Sequence, residues 1–161
     1  DPCNWLSVLY FPFSETTPMS MQPEAVTATL IPEGAQRLNF LPATFGRYFM
    51  RGESLVYAWM RKLSEDYSGG FWHYYTLSNG GHYMAPEMGD ARLTLLVEGN
   101  GYEGSMSADA AGIVACMFAL GQLMHQVEDE AARDHLVEQY HALHSFAVFH
   151  PESGAICRAI D

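Results

Sequence analysis

The run at residues 108–120, Ala-Asp-Ala-Ala-Gly-Ile-Val-Ala-Cys-Met-Phe-Ala-Leu, constrains this chain more than any other part of it. Its single charge, Asp109, sits in the first turn, and from Ala110 onward no face is polar. A helix that is apolar all round is stable only where other elements surround it. The run is well short of the ~20 residues that cross a bilayer, so it reads as the central helix of a packed core. Ser107 is placed to cap its start, Asp109 suits the positive end of the helix dipole, and the helix should run on to about residue 126.

The elements that wrap this helix are legible on both sides of it. A chain of 161 residues is the size of one domain, able to bury about two thirds of its unfolded surface. From Pro32 the pattern turns helical, with Leu38, Leu41 and Phe45 as apolar anchors and Gly46 as a stop. A clearer helix spans residues 53–63, with Leu55, Val56, Trp59 and Leu63 on one stripe; Glu53 favours its start and Arg61 and Lys62 its end. Phe71-Trp72-His73-Tyr74-Tyr75-Thr76-Leu77 is aromatic and β-branched, and Ser78-Asn79-Gly80-Gly81 supplies a hairpin turn. With Asn79-Gly80 as a two-residue loop, Thr76 faces Tyr83 and Tyr74 faces Ala85. Residues 92–98 alternate Leu93, Leu95 and Val97 on one side, and Gly99-Asn100-Gly101 turns into a short strand at 102–106. A last helix, residues 129–149, is stopped by Pro151; its stripe is Leu136, Tyr140, Leu143 and Ala147, opposite Glu130, Asp134, Glu138, His141 and Ser145. The expected fold is α+β: a small antiparallel sheet, the aromatic hairpin plus one or two strands, packed with several helices in a single domain.

Residues 1–20 differ from the rest, apolar and then Ser/Thr/Pro-rich. They read as an N-terminal extension, either added or an over-called start ahead of Met19 or Met21, or else a genuine arm packing Trp5 and Phe11. The working domain is placed at 21–161.

Charge narrows the function classes. Nineteen acidic and eight basic residues give −11, which opposes direct nucleic-acid binding, since neutralising phosphates requires clustered Lys and Arg. Along the chain the one lysine and seven arginines are scattered. The exposed aromatics of RNA-binding sheets work beside positive charge, and no basic residue lies between Lys62 and Arg92, so the hairpin rings are assigned to core packing. Cys3, Cys116 and Cys157 cannot all pair within one chain, and no CxxC occurs. A reducing, cytoplasmic setting fits, with Cys116 a buried thiol.

No nucleotide loop, nucleophile elbow or zinc-protease helix is present. The best metal candidate is Glu138-x-x-His141 with His135 and His144 nearby, but shared-metal sites on helices need matching ligands from facing helices. A solvated polar face is the preferred reading, and no cofactor or metal is expected. His73 and His82 are read as sheet positions. Glu130, Asp134 and Glu138 recur every four residues, ~6 Å apart. That could imitate phosphates, yet duplex DNA carries one charge per ~1.7 Å, so the stripe is too sparse for a full mimic.

The residues themselves carry a resemblance. The block Phe49-Met50-Arg51-Gly52-Glu53-Ser54-Leu55-Val56-Tyr57-Ala58-Trp59-Met60 resembles the signature region of the ArdB/KlcA antirestriction family. So do residues 66–72, Leu77-Ser78-Asn79-Gly80-Gly81-His82-Tyr83-Met84-Ala85-Pro86, residues 37–42 with Phe45-Gly46, and Ser107-Ala108-Asp109-Ala110-Ala111-Gly112-Ile113. Together they cover about residues 32–125. The resemblance implies a small cytoplasmic protein of plasmids and mobile elements that relieves type I restriction, without an enzymatic motif to carry over. Its partner would be the type I restriction-modification complex, directly or indirectly, with no membrane. The expected contact surface is Glu128, Asp129, Glu130, Asp134 and Glu138, joined by Asp161; a second strip is Arg51, Glu53, Tyr74 and His82. The alternatives are a compact acidic DNA mimic that binds the restriction enzyme directly, and a metal-assisted hydrolase using Glu138, His141 and His144.

Overall fold

The chain wraps two small antiparallel sheets and four helices around one central helix. The computed structural model describes residues 24–161, so the expectations for residues 1–20, with Cys3, Trp5 and Phe11, fall outside the described residues. β1 (Ala28–Leu30), β2 (Trp72–Leu77) and β3 (His82–Pro86) form one sheet in that order, while β4 (Arg92–Val97) and β5 (Tyr102–Ser107) form a second. The helices are α1 (Phe40–Phe45), α2 (Phe49–Leu63), α3 (Ala108–Gln126), α4 (Glu130–Ala147) and α5 (Ser153–Ile160). The class is the expected α+β, but the strands divide into two sheets, and β1, too short to show an alternating pattern, joins the aromatic hairpin.

α3 holds the centre. Every residue from Ala110 to Met117 is buried, and α2, α4, α5 and strands β3, β4 and β5 all pack on it. Ser107 caps it as expected, its hydroxyl accepting from the Ala110 amide at 3.1 Å. It crosses β3 at Gly112, where a Cβ would stand 2.5 Å from the Met84 carbonyl oxygen and 2.6 Å from Ala85 Cα. Among the described residues α3 is the one helix long and apolar enough to cross a membrane, and it is mostly buried inside the fold.

The hairpin register differs from the expectation by one residue. Leu77 and Gly81 close a three-residue loop, with the Leu77 amide on Gly81 O at 2.9 Å and the Gly80 amide on Leu77 O at 3.0 Å. Gly80 takes φ 86°, the left-handed residue of a three-residue hairpin loop. The pairs are therefore Thr76 with His82, Tyr75 with Tyr83 and Tyr74 with Met84. One added loop residue exchanges the faces of β3: His82 and Met84 join Trp72 and Tyr74, and Tyr83 joins His73 and Tyr75. The first face packs under α1 and α2, with Phe40 stacked on Tyr74 at 4.1 Å and Tyr57 edge-on to Trp72 at 5.3 Å. On the second face Tyr83 stacks on Tyr75 at 4.7 Å and on Phe146 of α4 at 5.6 Å. Trp72, Tyr74 and Tyr83 are buried, so these rings serve the core as the sequence suggested.

Three other expectations are corrected. Leu38 is 78% exposed, whereas Phe40 and Phe45 are buried; residues Ala35–Asn39 form a 3-10 turn, whose tighter winding rotates Leu38 outward. α2 begins at Phe49, a turn earlier than its charge pattern indicated, and its buried line is Gly52, Val56, Met60 and Leu63. Gly52 is required there because a Cβ would sit 2.3 Å from the Phe45 ring. Finally, the chain after Pro151 forms α5, which buries Ile156, Cys157 and Ala159. The expected strand-and-turn at 92–102 is as read, Leu93, Leu95 and Val97 pointing inward.

Candidate functional site

The acidic face of α4 is assembled by a tight junction with α3. α3 ends at Gln126 with Val127 as its C-cap, and Arg133 donates to Val127 O at 2.7 Å and Met124 O at 3.3 Å, satisfying carbonyls that the helix end leaves open. Asp129 caps α4 through the Ala131 amide at 3.2 Å and pairs with Arg47 at 3.2 Å. Both of its oxygens are thus used within the fold. Glu128, Glu130, Asp134 and Glu138 are exposed, and the last three stand one helical turn apart. The opposite side of α4 buries Leu136, Gln139, Leu143 and Ala147. Gln139 is the polar member of that buried side. Its Oε1 accepts from His82 Nδ1 at 2.9 Å and its Nε2 donates to Gly80 O at 3.0 Å. This amide ties the hairpin turn to α4, helped by Asn79 Nδ2 on Ala142 O at 2.9 Å.

The structure does not bring Asp161 to this face. Its backbone carbonyl is held by Asn100 Nδ2 at 3.2 Å, at the β4–β5 turn, together with the carbonyls of Arg158 and Ala159. Nor does it expose the second strip as a unit. Tyr74 is buried beneath Phe40 and Arg37, whose guanidinium lies 4.0 Å from its ring. That position makes Tyr74 a packing residue, not a contact residue. His82 is locked on Gln139, and burial, with His135 nearby, holds its pKa below the ordinary histidine value against the opposing Gln139 bond. Glu53 accepts the Tyr57 hydroxyl at 3.0 Å, and Arg51 alone stands exposed.

The histidines of α4 do different work. His135 Nε2 bonds Ala43 O at 2.8 Å, fastening α1 to α4. His141 is exposed and His144 half-buried, its pKa lowered by burial and then by His141. Among the described residues no group of three or more His, Cys, Asp and Glu side chains is arranged to hold a metal ion.

Sequence reasoning missed a polar network at the opposite end of α3. Asp109 accepts the Tyr83 hydroxyl at 2.7 Å and His150 Nε2 at 2.8 Å. His150 Nδ1 accepts the Glu152 amide at 3.0 Å, which fixes the tautomer with its proton on Nε2. Glu152 in turn accepts the Ser107 amide at 3.0 Å, the Ser107 hydroxyl, and Arg92 at 3.3 Å. Burial acts against its carboxylate, but these partners prevail and hold its pKa below the usual value. Beside the network a groove of about 220 Å³ is lined by His73, Tyr75, Glu87, Met88 and Asp109, with His73 and Glu87 paired at its mouth. Ser107 is committed as cap and donor, so its hydroxyl is no free nucleophile. The six linked residues come from four separate stretches of chain, and no local pattern joins those stretches.

The fold, one apolar helix clasped by an aromatic hairpin and an acid-faced helix, is shared with proteins of known family. The family model described as "Antirestriction protein" matches residues 65–161. An antirestriction protein KlcA of Escherichia coli is 57% identical over 144 residues, covering 89% of this chain and 100% of that protein. The uncharacterised protein YafX of Escherichia coli K12 is 41% identical over 144 residues, covering 87% and 91%. A solved structure with 58% identity superposes with a TM-score of 0.79 over 88% of this chain and 100% of the other. It belongs to work on the KlcA and ArdB proteins, which show a novel fold and antirestriction activity against type I DNA restriction systems in vivo but not in vitro. The chain described above is therefore a member of the antirestriction protein family, of the ArdB/KlcA kind.

Proposed function

We propose that this protein relieves type I restriction of incoming DNA by contact, without catalysis, acting in the cytoplasm from the domain at residues 21–161. The observation that carries the reading is the likeness to KlcA over that protein's whole length at 57% identity, combined with the in vivo activity described for the KlcA and ArdB structures. Activity seen in cells and not in a purified reaction fits an indirect action, one that needs a cellular component besides the restriction enzyme. The spacing of carboxylates on α4, ~6 Å against one charge per ~1.7 Å of duplex, also disfavours a full DNA mimic.

The contact surface assigned is the exposed face of α4: Glu128, Glu130, Asp134 and Glu138, with Asp129 anchoring its start. Its carboxylates face solvent while the far side of the helix is core, so reversing their charge leaves the fold intact. The test is the plating efficiency of unmodified phage on type I restricting and non-restricting strains. The wild-type protein should restore plating only on the restricting strain. A Glu130→Lys, Asp134→Lys, Glu138→Lys variant should lose that effect while keeping its thermal midpoint. Protection that survives the triple change removes α4 as the surface; no relief by the wild type removes the function.

A further inference from the structure

The basic residues that look scattered along the chain are gathered by the fold. Met50, Arg51, Ser54, Ala58, Arg61 and Lys62 are the exposed residues of α2, at spacings of one to four that place them on one stripe. Arg47 stands one turn ahead of Arg51, on the same side of the Tyr48 ring region: both guanidinium groups approach that ring, at 4.9 and 5.8 Å. Three of the eight basic residues of a −11 chain therefore lie along α2, with Arg47 in the 3-10 turn that leads into it. Glu53, the acid within α2, is off the stripe and bonded to Tyr57. Beyond the helix end, Asp66 accepts the Thr94 amide at 2.7 Å, and Glu65 is exposed. Arg47 is paired to Asp129, but among the described residues no carboxylate lies within ion-pair distance of Arg51, Arg61 or Lys62.

We propose that this face of α2 is a contact surface for the phosphodiester backbone of duplex DNA. The residue types separate this partner from a protein one. A stable protein interface centres on buried aromatic and aliphatic anchors, and here the stripe offers one exposed apolar side chain, Met50. Nucleic-acid interfaces are instead polar and positively charged. Three of the four cations are arginines, whose forked donors match phosphate oxygens. The small residues Ser54 and Ala58 between them let a backbone come close. Arg51 and Lys62 are ~16 Å apart along the axis, enough to reach phosphates on both walls of a groove ~12 Å wide. The net negative charge does not cancel this, because charges beyond the ~8 Å Debye length at physiological salt are largely screened. It does make the contact weak and strongly salt-dependent. The contact is independent of the antirestriction reading.

The experiment is fluorescence anisotropy of a labelled duplex titrated with the full-length protein from about 20 to about 200 mM salt. Three unpaired cations predict a slope of log affinity on log salt of about −2.7, so each fourfold rise in salt weakens binding about 40-fold. An Arg51→Glu, Arg61→Glu variant, both positions exposed, should bind at least about tenfold more weakly with an unchanged circular dichroism spectrum. Arg51→Ala, Arg61→Ala should fall between. Absence of binding at about 20 mM salt, or binding that both pairs of changes leave untouched, overturns the proposal. So does salt-sensitive self-association in sedimentation that Arg51→Glu, Arg61→Glu abolishes, since the stripe would then be engaging the acidic face of a second copy. Phage plating reads the antirestriction activity separately and can succeed or fail independently of this outcome.

Discussion

Replacing Gly112 with alanine sets two opposed effects against each other in one helix. Alanine is the better helix former by about 0.8–1 kcal/mol, so an unobstructed position would gain stability. At Gly112, however, the new methyl would lie 2.5 Å from Ala85 Cβ, 2.5 Å from Met84 O and 2.6 Å from Ala85 Cα. Normal carbon contacts are ~3.5–4.0 Å, so α3 and β3 must separate by about 1 Å. Two of the three obstructing atoms belong to the backbone of β3, the hairpin strand packed on α3, and neither can rotate away. Overpacking of this kind costs about 1–3 kcal/mol and more where backbone must move, so a net loss of about 2 kcal/mol is expected. For a domain of this size that is a fall of about 4–8 °C in thermal midpoint. Gly121 supplies the control: it is in the same helix, and a Cβ there meets nothing within 4 Å. Gly121→Ala should gain up to about 1 kcal/mol. The assay is urea denaturation of the two variants and the parent, followed by far-ultraviolet circular dichroism. Equal shifts in the same direction would refute the argument, because propensity alone would then explain both and the close crossing at Gly112 would carry no energy.

Acidification should weaken the fold first through histidine. His82 and His144 have folded pKa values below the ordinary 6.5, so the unfolded chain binds more protons in that window and stability drops as pH falls below 6.5. His82→Gln should flatten the denaturation midpoint between about pH 6.5 and 5. Glu152 acts lower: its depressed pKa lends stability that is fully present above the unfolded value of 4.5 and is lost as pH falls through the folded one. Glu152→Gln should therefore cost stability at neutral pH and reduce the further loss below 4.5. Cys116 is buried, its thiol pushed up to about 12 by burial; its tryptic peptide should stay unmodified by iodoacetamide in the native protein and react in denaturant.

Much of the frame is legible because it is local. The apolar run at 108–120 makes α3 the core helix whatever surrounds it, and Ser107 and Pro151 mark boundaries by their own backbone chemistry. The alternation of Leu93, Leu95 and Val97 assigns an inner face to β4. The acidic stripe of α4 is equally plain, since a four-residue repeat on a helix needs no partner to define it. The family likeness rests on the same strings of residues.

What the sequence by itself determined, then, is which segments are helix or strand and which of their faces can be buried, since both follow from periodicity over a few residues. Tertiary structure alone decided the hairpin register, where one loop residue with a left-handed backbone exchanged the two faces of β3. It also buried Tyr74, bound Gln139 to His82, and linked Asp109, His150 and Glu152 across separate segments. It paired Arg47, at the entry to α2, with Asp129 at the start of α4. The physical reason is common to all of these: a contact between residues far apart in the chain depends on how whole elements dock, and docking is set by packing volume and loop geometry summed over the molecule, which no local window contains.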